Sequence, residues 1–522
     1  MFRGGYGRIY GRLNGVGLVL APLLSPGLIY PASCGNVFRG GPNGSCGTTG
    51  PNLNTAFRIG TDGTSPVIPV PANTVTQPSF PGVFGNATAA TAAPLDPKTR
   101  PNAVDSFDLT IQHQFSSKVL VEFGGISRWI HDTLLSVNLN SVPYMMTLGG
   151  QQFQAAYANL EKAMGCANSI TACNSATAGM TVAPQAFFEA ALAGTGFPCK
   201  PSCTQGLVNN PTLFGYLQGQ QVYSLWTALD HGGTAPGFNF PASTLFGSGQ
   251  ISSNVLSNTS LGHGNYNAAF ATFKFNDWHG VTLQNNLTFS RALGTGDVIQ
   301  ATSEQGVVDP FNLNTQYGVQ PSDRKLVETM FLVWQEPFYR GQQGIVGHLL
   351  GGWVPSFVFA AGTGAPLFCA SGVSFIEEGY SGAQEFGSTD GNTAATDANC
   401  VLGGGPPASS FHNLDGVYTA FGDPTAVYGR IRPLILGYDT RSSGYGAFRG
   451  LKYWNLNFGV KKNIRITERF NAEASLNVNN ILNHNQLLDP VLFDGSSAAT
   501  FGQFSIEGTT PRTMEMGIRV NF

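Results

Sequence analysis

The closing stretch TMEMGIRVNF, residues 513–522, alternates without a break. Met514, Met516, Ile518, Val520 and Phe522 fall on one side of an extended chain and Thr513, Glu515, Gly517, Arg519 and Asn521 on the other, because side chains along a strand change face at every residue. The same period recurs upstream. In DSFDLTIQHQF, Phe107, Leu109, Ile111 and Phe115 oppose Asp108, Thr110, Gln112 and Gln114. In VTLQNNLTFSRA, Val281, Leu283, Leu287 and Phe289 oppose Thr282, Gln284, Asn286 and Ser290. RGGYGRIYGRL, VLVEFGGISRW, the run from Tyr266, LVETMFLVWQ, the stretch 345–361, Trp454 to Val460 and Phe470 to Asn479 complete about ten predicted strands.

The connections are unequal. Short turns join 115 to 119, 275 to 281, 335 to 345 and 460 to 470, whereas 13–104, 129–265, 292–324, 362–452 and 480–511 are long. Consecutive connections of an up-and-down meander lie at opposite ends, so all the long ones share an end. That is the asymmetry of a membrane barrel with short periplasmic turns and long extracellular loops. Only 11% of the chain is charged, against about 25% in soluble domains, so a charged shell does not cover its surface. No apolar run is long enough for a transmembrane helix. The polar faces carry Asn, Gln, Thr and Ser with isolated Glu122, Glu328 and Glu473, as an aqueous lumen would; Trp129, Trp278, Trp353 and Trp454 near strand ends suit an aromatic girdle. The fold class that follows is all-β, an antiparallel transmembrane β-barrel, partial with about ten strands, in a Gram-negative-type outer membrane. A secreted soluble β-sandwich is the alternative, and it requires the opening MFRGGYGRIYGRLNGVGLVLAPLL to be a signal sequence rather than a strand.

Net charge is -3 without a basic cluster, so no nucleic-acid partner is expected. The eight cysteines, Cys34, Cys46, Cys166, Cys173, Cys199, Cys203, Cys369 and Cys400, form sequence-neighbour pairs inside the long segments and lack zinc spacing. Local loop disulfides are favoured over free thiols. Signatures of nucleotide, zinc-protease, serine-hydrolase and thiol-redox sites are absent. His113 lies on an apolar face, and Asp390 and Asp397 fit no calcium loop. No catalytic residue, cofactor or metal is assigned, and no enzyme is expected.

The last third resembles the end of the Oar-like family of TonB-dependent outer-membrane proteins, many of them acidobacterial. Lys462, Asn463, Thr467 and Glu468 match its strand-ending turn; Asn480, Asn483 and His484 match the next element; Phe501, Gly502, Pro511 and Arg512 lead to the final Phe522. Glu515 and Asn479 stand where that family commonly has Gln and Phe. The opening RGGYGRIYGRLNG is similar to a mid-barrel strand. The resemblance implies that residues 1–522 are the carboxy-terminal portion of a barrel domain, without the plug domain, TonB box or carboxypeptidase-regulatory-like domain of such proteins. It also implies that Met514, Met516, Ile518, Val520 and Phe522 form the signal read by the barrel-assembly machinery. The expected partners are outer-membrane lipid, that machinery, an unknown extracellular ligand, and TonB only through upstream domains. The expected function is a receptor or transporter-like barrel that binds or passes a large nutrient. A structural or adhesive surface protein without transport is the alternative.

Overall fold

The computed structural model describes residues 1–12, 96–138, 142–231, 256–296, 305–307, 309–367, 400–441, 446–467, 470–490, 492, 501–504 and 510–521. Ten long strands form one antiparallel sheet in chain order. They are β1 (Phe2–Tyr10), β2 (Ala103–Ser116), β3 (Val119–Asn138), β4 (Leu256–Trp278), β5 (Val281–Gly294), β6 (Leu326–Trp334), β7 (Trp353–Gly362), β8 (Tyr453–Arg465), β9 (Asn471–Asn479) and β10 (Thr513–Asn521). The opening stretch is therefore a strand, laddered from Phe2 opposite Ile111 to Tyr10 opposite Ala103. Short connections lie at one end, here the inner end, and the long ones at the outer end. Among the described residues β1 pairs only with β2 and β10 only with β9, so the wall is an open sheet at both sides.

Register decides what each face carries, since directly opposed residues on antiparallel strands share a face. Leu109 opposes Gly125, Gly125 opposes Ala269, Ala269 opposes Phe289 and Phe289 opposes Leu326. Leu332 continues to Phe357, then Phe458, Val478 and Met514. One apolar face thus runs across all ten strands, with ring contacts between Phe107 and Trp129 at 5.5 Å and Phe357 and Phe458 at 5.0 Å. The other face is polar: the Thr272 hydroxyl donates to Asn286 Oδ1 at 3.1 Å, and Glu473 lies opposite both Asn463 and Arg519. No second sheet covers the apolar face among the described residues, which is the arrangement a β-sandwich excludes.

The rows climb. The one beginning at Phe2, at the inner end of β1, passes through Ile111, Phe123, Ala271, Leu287, Glu328 and Ala361 to Trp454 at the outer end of β8. Such accumulated stagger is the shear that a sheet closing into a barrel requires. Trp278, Trp334 and Trp353 ring the inner end, whereas Trp129 lies midway along β3.

Three sequence expectations need correction. The stretch 345–361 is not one strand: Gly344–Leu350 is a helix, and β7 starts only at Trp353. Gly352 takes φ +80, where a Cβ would lie 2.4 Å from the Asn463 carbonyl oxygen, so the chain must break direction there. Glu328 faces the apolar side, in line with Leu326 and Met330; its carboxylate accepts from the Asn285 amide at 2.8 Å. The long connection expected over 129–265 is shorter, because β3 runs to Asn138 and β4 starts at Leu256, and its described residues hold six helices: α1 (Phe153–Ala163), α2 (Ile170–Asn174), α3 (Ala186–Leu192), α4 (Cys203–Asn209), α5 (Pro211–Gln218) and α6 (Val222–His231).

These helices have their own core. Phe153, Tyr157, Phe187, Phe188, Leu192, Leu207, Leu225 and Trp226 are essentially inaccessible, each side chain contributing about 1.5–3 kcal/mol by leaving water. Ser169, Ser202 and Asn210 cap helix starts, and the Glu189 carboxylate accepts from the Cys203 and Thr204 amides at 2.9 and 2.8 Å. β3 and β4 carry this subdomain. At 20 and 23 residues they far exceed the about 9–11 that span a membrane, and bulges between Ile130 and Leu135 with Asp132 at φ 57 turn their outer halves.

Candidate functional site

The long connections knit into one outer cap. Ile435 and Leu436, from the connection before β8, enter the helical core. The Tyr144 hydroxyl donates to Asp309 at 2.6 Å, and burial pushes both groups' pKa values up. Arg449 pairs with fully buried Asp323, which also accepts from the Ala292 amide at 2.7 Å. Arg432 binds Asp439 through both guanidinium nitrogens at 2.7 Å, the fork geometry that suits a carboxylate. A second core, around Phe421, Phe448 and Phe501, sits over the outer ends of β7 to β10.

Several residues singled out from the sequence build this cap. Phe501 is fully buried and stacks on Phe421 at 5.5 Å. Gly502 takes φ +77, and a Cβ there would lie 2.6 Å from the Phe421 ring. Asn480 turns the chain after β9 with φ 51; its amide side chain accepts from the His484 N–H at 2.8 Å and donates to the His484 carbonyl at 2.9 Å. Asn483 Oδ1 accepts from the Arg512 N–H at 3.0 Å, which aims the chain into β10 beside Pro511. The result is that the His484 ring lies flat on Trp454, centroids 4.0 Å apart.

That pair floors a groove of about 820 Å³ at the outer rim. Phe411, Tyr418 and Phe504 form an aromatic wall, with Phe411 to Tyr418 at 5.2 Å and Phe411 to Phe504 at 6.5 Å. Lys452, Asn485, Gln486, Ser409 and Ser410 supply polar groups, and the Ser409 hydroxyl is buried with no hydrogen-bond partner. Flat apolar surfaces beside a few convergent polar groups are the makeup of a ligand site. Sequence reasoning isolated His484 but not the groove, because its walls come from residues 409–418, 451–454, 484–487 and 504.

The remaining singled-out residues lie elsewhere. Lys462 and Asn463 are at the inner end of β8, and Thr467 closes the following turn, its hydroxyl accepting from the Phe470 N–H at 3.0 Å. Met514, Met516, Ile518 and Val520 are all exposed on the apolar face. Sulfur bridges link Cys166 to Cys173 and Cys199 to Cys203 in the helical subdomain. Cys400 lies in a short strand paired with 431–433. Cys34, Cys46, Cys369, Asp390, Asp397, Glu468 and Phe522 lie outside the described residues. Glu161 with Cys166 and Cys173 forms a cluster of metal-ligand type, but both thiols are committed to a disulfide, so the set does not fit a metal.

The sequence model of the outer membrane beta barrel domain matches residues 1–515. The chain belongs to that family. The apolar face of this outer-membrane barrel domain is accordingly its lipid-facing surface, the polar face its lumen side, and the cap its extracellular end. No curated protein matches the sequence. Among solved structures the domain is similar to the outer membrane transporter YddB from Escherichia coli, with 8% identity and TM-score 0.33 over 83% of this chain and 34% of that one. It is similar also to the FrpB iron transporter from Neisseria meningitidis, at 8% identity and TM-score 0.28 over 82% and 32%. A third is the ferripyoverdine receptor of Pseudomonas aeruginosa, at 7% identity and TM-score 0.29 over 81% and 27%. The chain spans about a third or less of the length of these proteins.

Proposed function

We propose that this domain is the wall and outer cap of a TonB-dependent receptor of the Oar-like type, capturing a large nutrient at the cell surface for passage through the lumen. The groove over Trp454 and His484 carries the reading. It lies where the extracellular cap meets the barrel rim, on the outer face that Trp454 shares with Leu456 and Phe458, so capture there precedes entry to the lumen, and it is built by the turn that the Oar-like resemblance picked out. Aromatic faces with amide and hydroxyl groups suit a ring-bearing solute such as a saccharide or an aromatic chelate. TonB acts here through plug and TonB-box segments elsewhere in such a receptor.

The disulfide-bridged helical subdomain favours a second reading, an adhesive surface protein that binds without transport. The test is a fluorescence titration of the purified domain with a panel of glycans, peptides and chelates, followed by accumulation of any bound compound, with and without a protonophore, in cells that express the domain together with plug and TonB-box segments. Receptor function predicts protonophore-sensitive accumulation lost in Trp454→Ala. Binding with no accumulation supports the adhesive reading, and accumulation unaffected by Trp454→Ala refutes the role of the groove.

A further inference from the structure

The helix in the turn between β6 and β7, α7 (Gly344–Leu350), is out of place in a periplasmic turn. Ile345 is 81% exposed, and Val346, Leu349 and Leu350 are exposed beside it. A short apolar helix projecting into water would be discarded by any soluble surface, so its position relative to the barrel wall matters.

Register and hydrogen bonds fix that position. Lys462 lies opposite Trp353 on the lipid-facing side, in line with Val460 and Ile464. Its ammonium donates to the Leu349 carbonyl at 3.2 Å and to the Gly351 carbonyl, two acceptors at the helix end that have no partner within the helix. The same ammonium sits 4.9 Å from the centre of the Trp353 ring, whose N–H donates to the Leu349 carbonyl at 2.9 Å. Gln342, just before the helix, bridges the Asn463 carbonyl at 2.6 Å and the Arg465 N–H at 2.9 Å. A cation on the lipid-facing side is thus fully used in clamping the helix carboxyl end to the outside of the wall. Lys462 and Asn463, picked out from the sequence, make this clamp.

We infer that α7 is an interfacial anchor: it lies outside the barrel at its inner end and inserts Ile345, Val346, Leu349 and Leu350 into the inner leaflet of the outer membrane. The occupant is phospholipid, because the exposed patch continues the lipid-facing belt through Trp353 and Trp334 without interruption. Amphipathic segments bind the headgroup boundary in this way, and a tryptophan beside them is at home there.

The test places an environment-sensitive fluorophore at Ile345→Cys in the full chain folded in phosphatidylcholine vesicles, with Thr177→Cys in the cap as the aqueous reference. At 345 the anchor predicts a blue-shifted emission, strong quenching by phospholipids brominated near the glycerol backbone, and severalfold weaker quenching by aqueous iodide than at 177. Adding Lys462→Met should move the 345 label toward the values at 177, while the heat-modifiable barrel band is unchanged. Iodide quenching at 345 equal to that at 177, without quenching by brominated lipid, overturns the anchor. A label unaffected by Lys462→Met overturns the clamp.

Discussion

Glu161 should make the extracellular cap weaken as pH rises. It is fully buried on α1, where its carboxyl accepts from the Gln220 amide at 3.2 Å and the Tyr157 hydroxyl lies beside it, too little to replace the water it has lost. Desolvation therefore dominates and pushes its pKa up to about 8 from 4.5. In the unfolded cap the carboxyl ionises above about 4.5, whereas in the folded cap it stays protonated until about 8. Below 4.5 both states hold the proton and the contribution is complete; between the two values only the folded state holds it, and stability falls. The slope is about 1.4 kcal/mol per pH unit, a tenfold change in the opening equilibrium for each unit. Over the whole window the loss is several kcal/mol, enough to matter to a helical subdomain that stands clear of the membrane.

Native-state hydrogen exchange on the amides of α1 and α6, corrected for the intrinsic rate at each pH, measures that equilibrium. Protection should drop from pH 5 to pH 8 and level off above it. Glu161→Gln should match the wild-type chain at pH 4.5, exceed it at pH 8 and show no slope. A wild-type profile without slope, or a Gln variant less protected at pH 8, would refute the assignment of a neutral carboxyl.

Three further outcomes are expected. Phe501→Ala should destabilise the second outer core by about 3–5 kcal/mol through the cavity it leaves, read as faster proteolysis around Phe421 with the barrel band unchanged. Ile518→Lys, at an 84% exposed lipid-facing position, should cost about 2–4 kcal/mol and lower the heat-modifiable fraction, whereas Glu515→Lys on the lumen side should not. Deleting Phe522 should slow assembly into the membrane far more than Asn521→Ala, as followed by protease protection in pulse-labelled cells.

The strands were legible because alternation is a local property: each of the ten long strands overlaps a stretch that the sequence marks, although the outer parts of β3 and β4, residues 130–138 and 256–265, read as connection. The Glu328 error was avoidable, since it shares parity with Leu326, Met330 and Leu332, and polarity alone was the wrong guide. The helix inside the predicted strand 345–361 also left a trace, because Ile345, Val346, Leu349 and Leu350 have helical spacing. So do Phe153, Ala156, Tyr157 and Leu160, all buried on one side of α1. What no local pattern contains is the groove, whose walls are brought together by the packing of separate connections, and the clamp from Lys462 to α7, which joins residues 113 positions apart.

The two borders of the wall, β1 and β10, each with one partner strand among the described residues, impose a rule of parity. With ten strands in meander order, β1 runs outward and β10 inward, so the two borders are antiparallel to each other. Every backbone N–H and carbonyl left open along them costs several kcal/mol in hydrocarbon, and the ladder must therefore be completed. Direct joining satisfies the alternation, and so does insertion of any even number of strands, whether from the same polypeptide or another. An odd number would set two like-directed strands side by side at one seam.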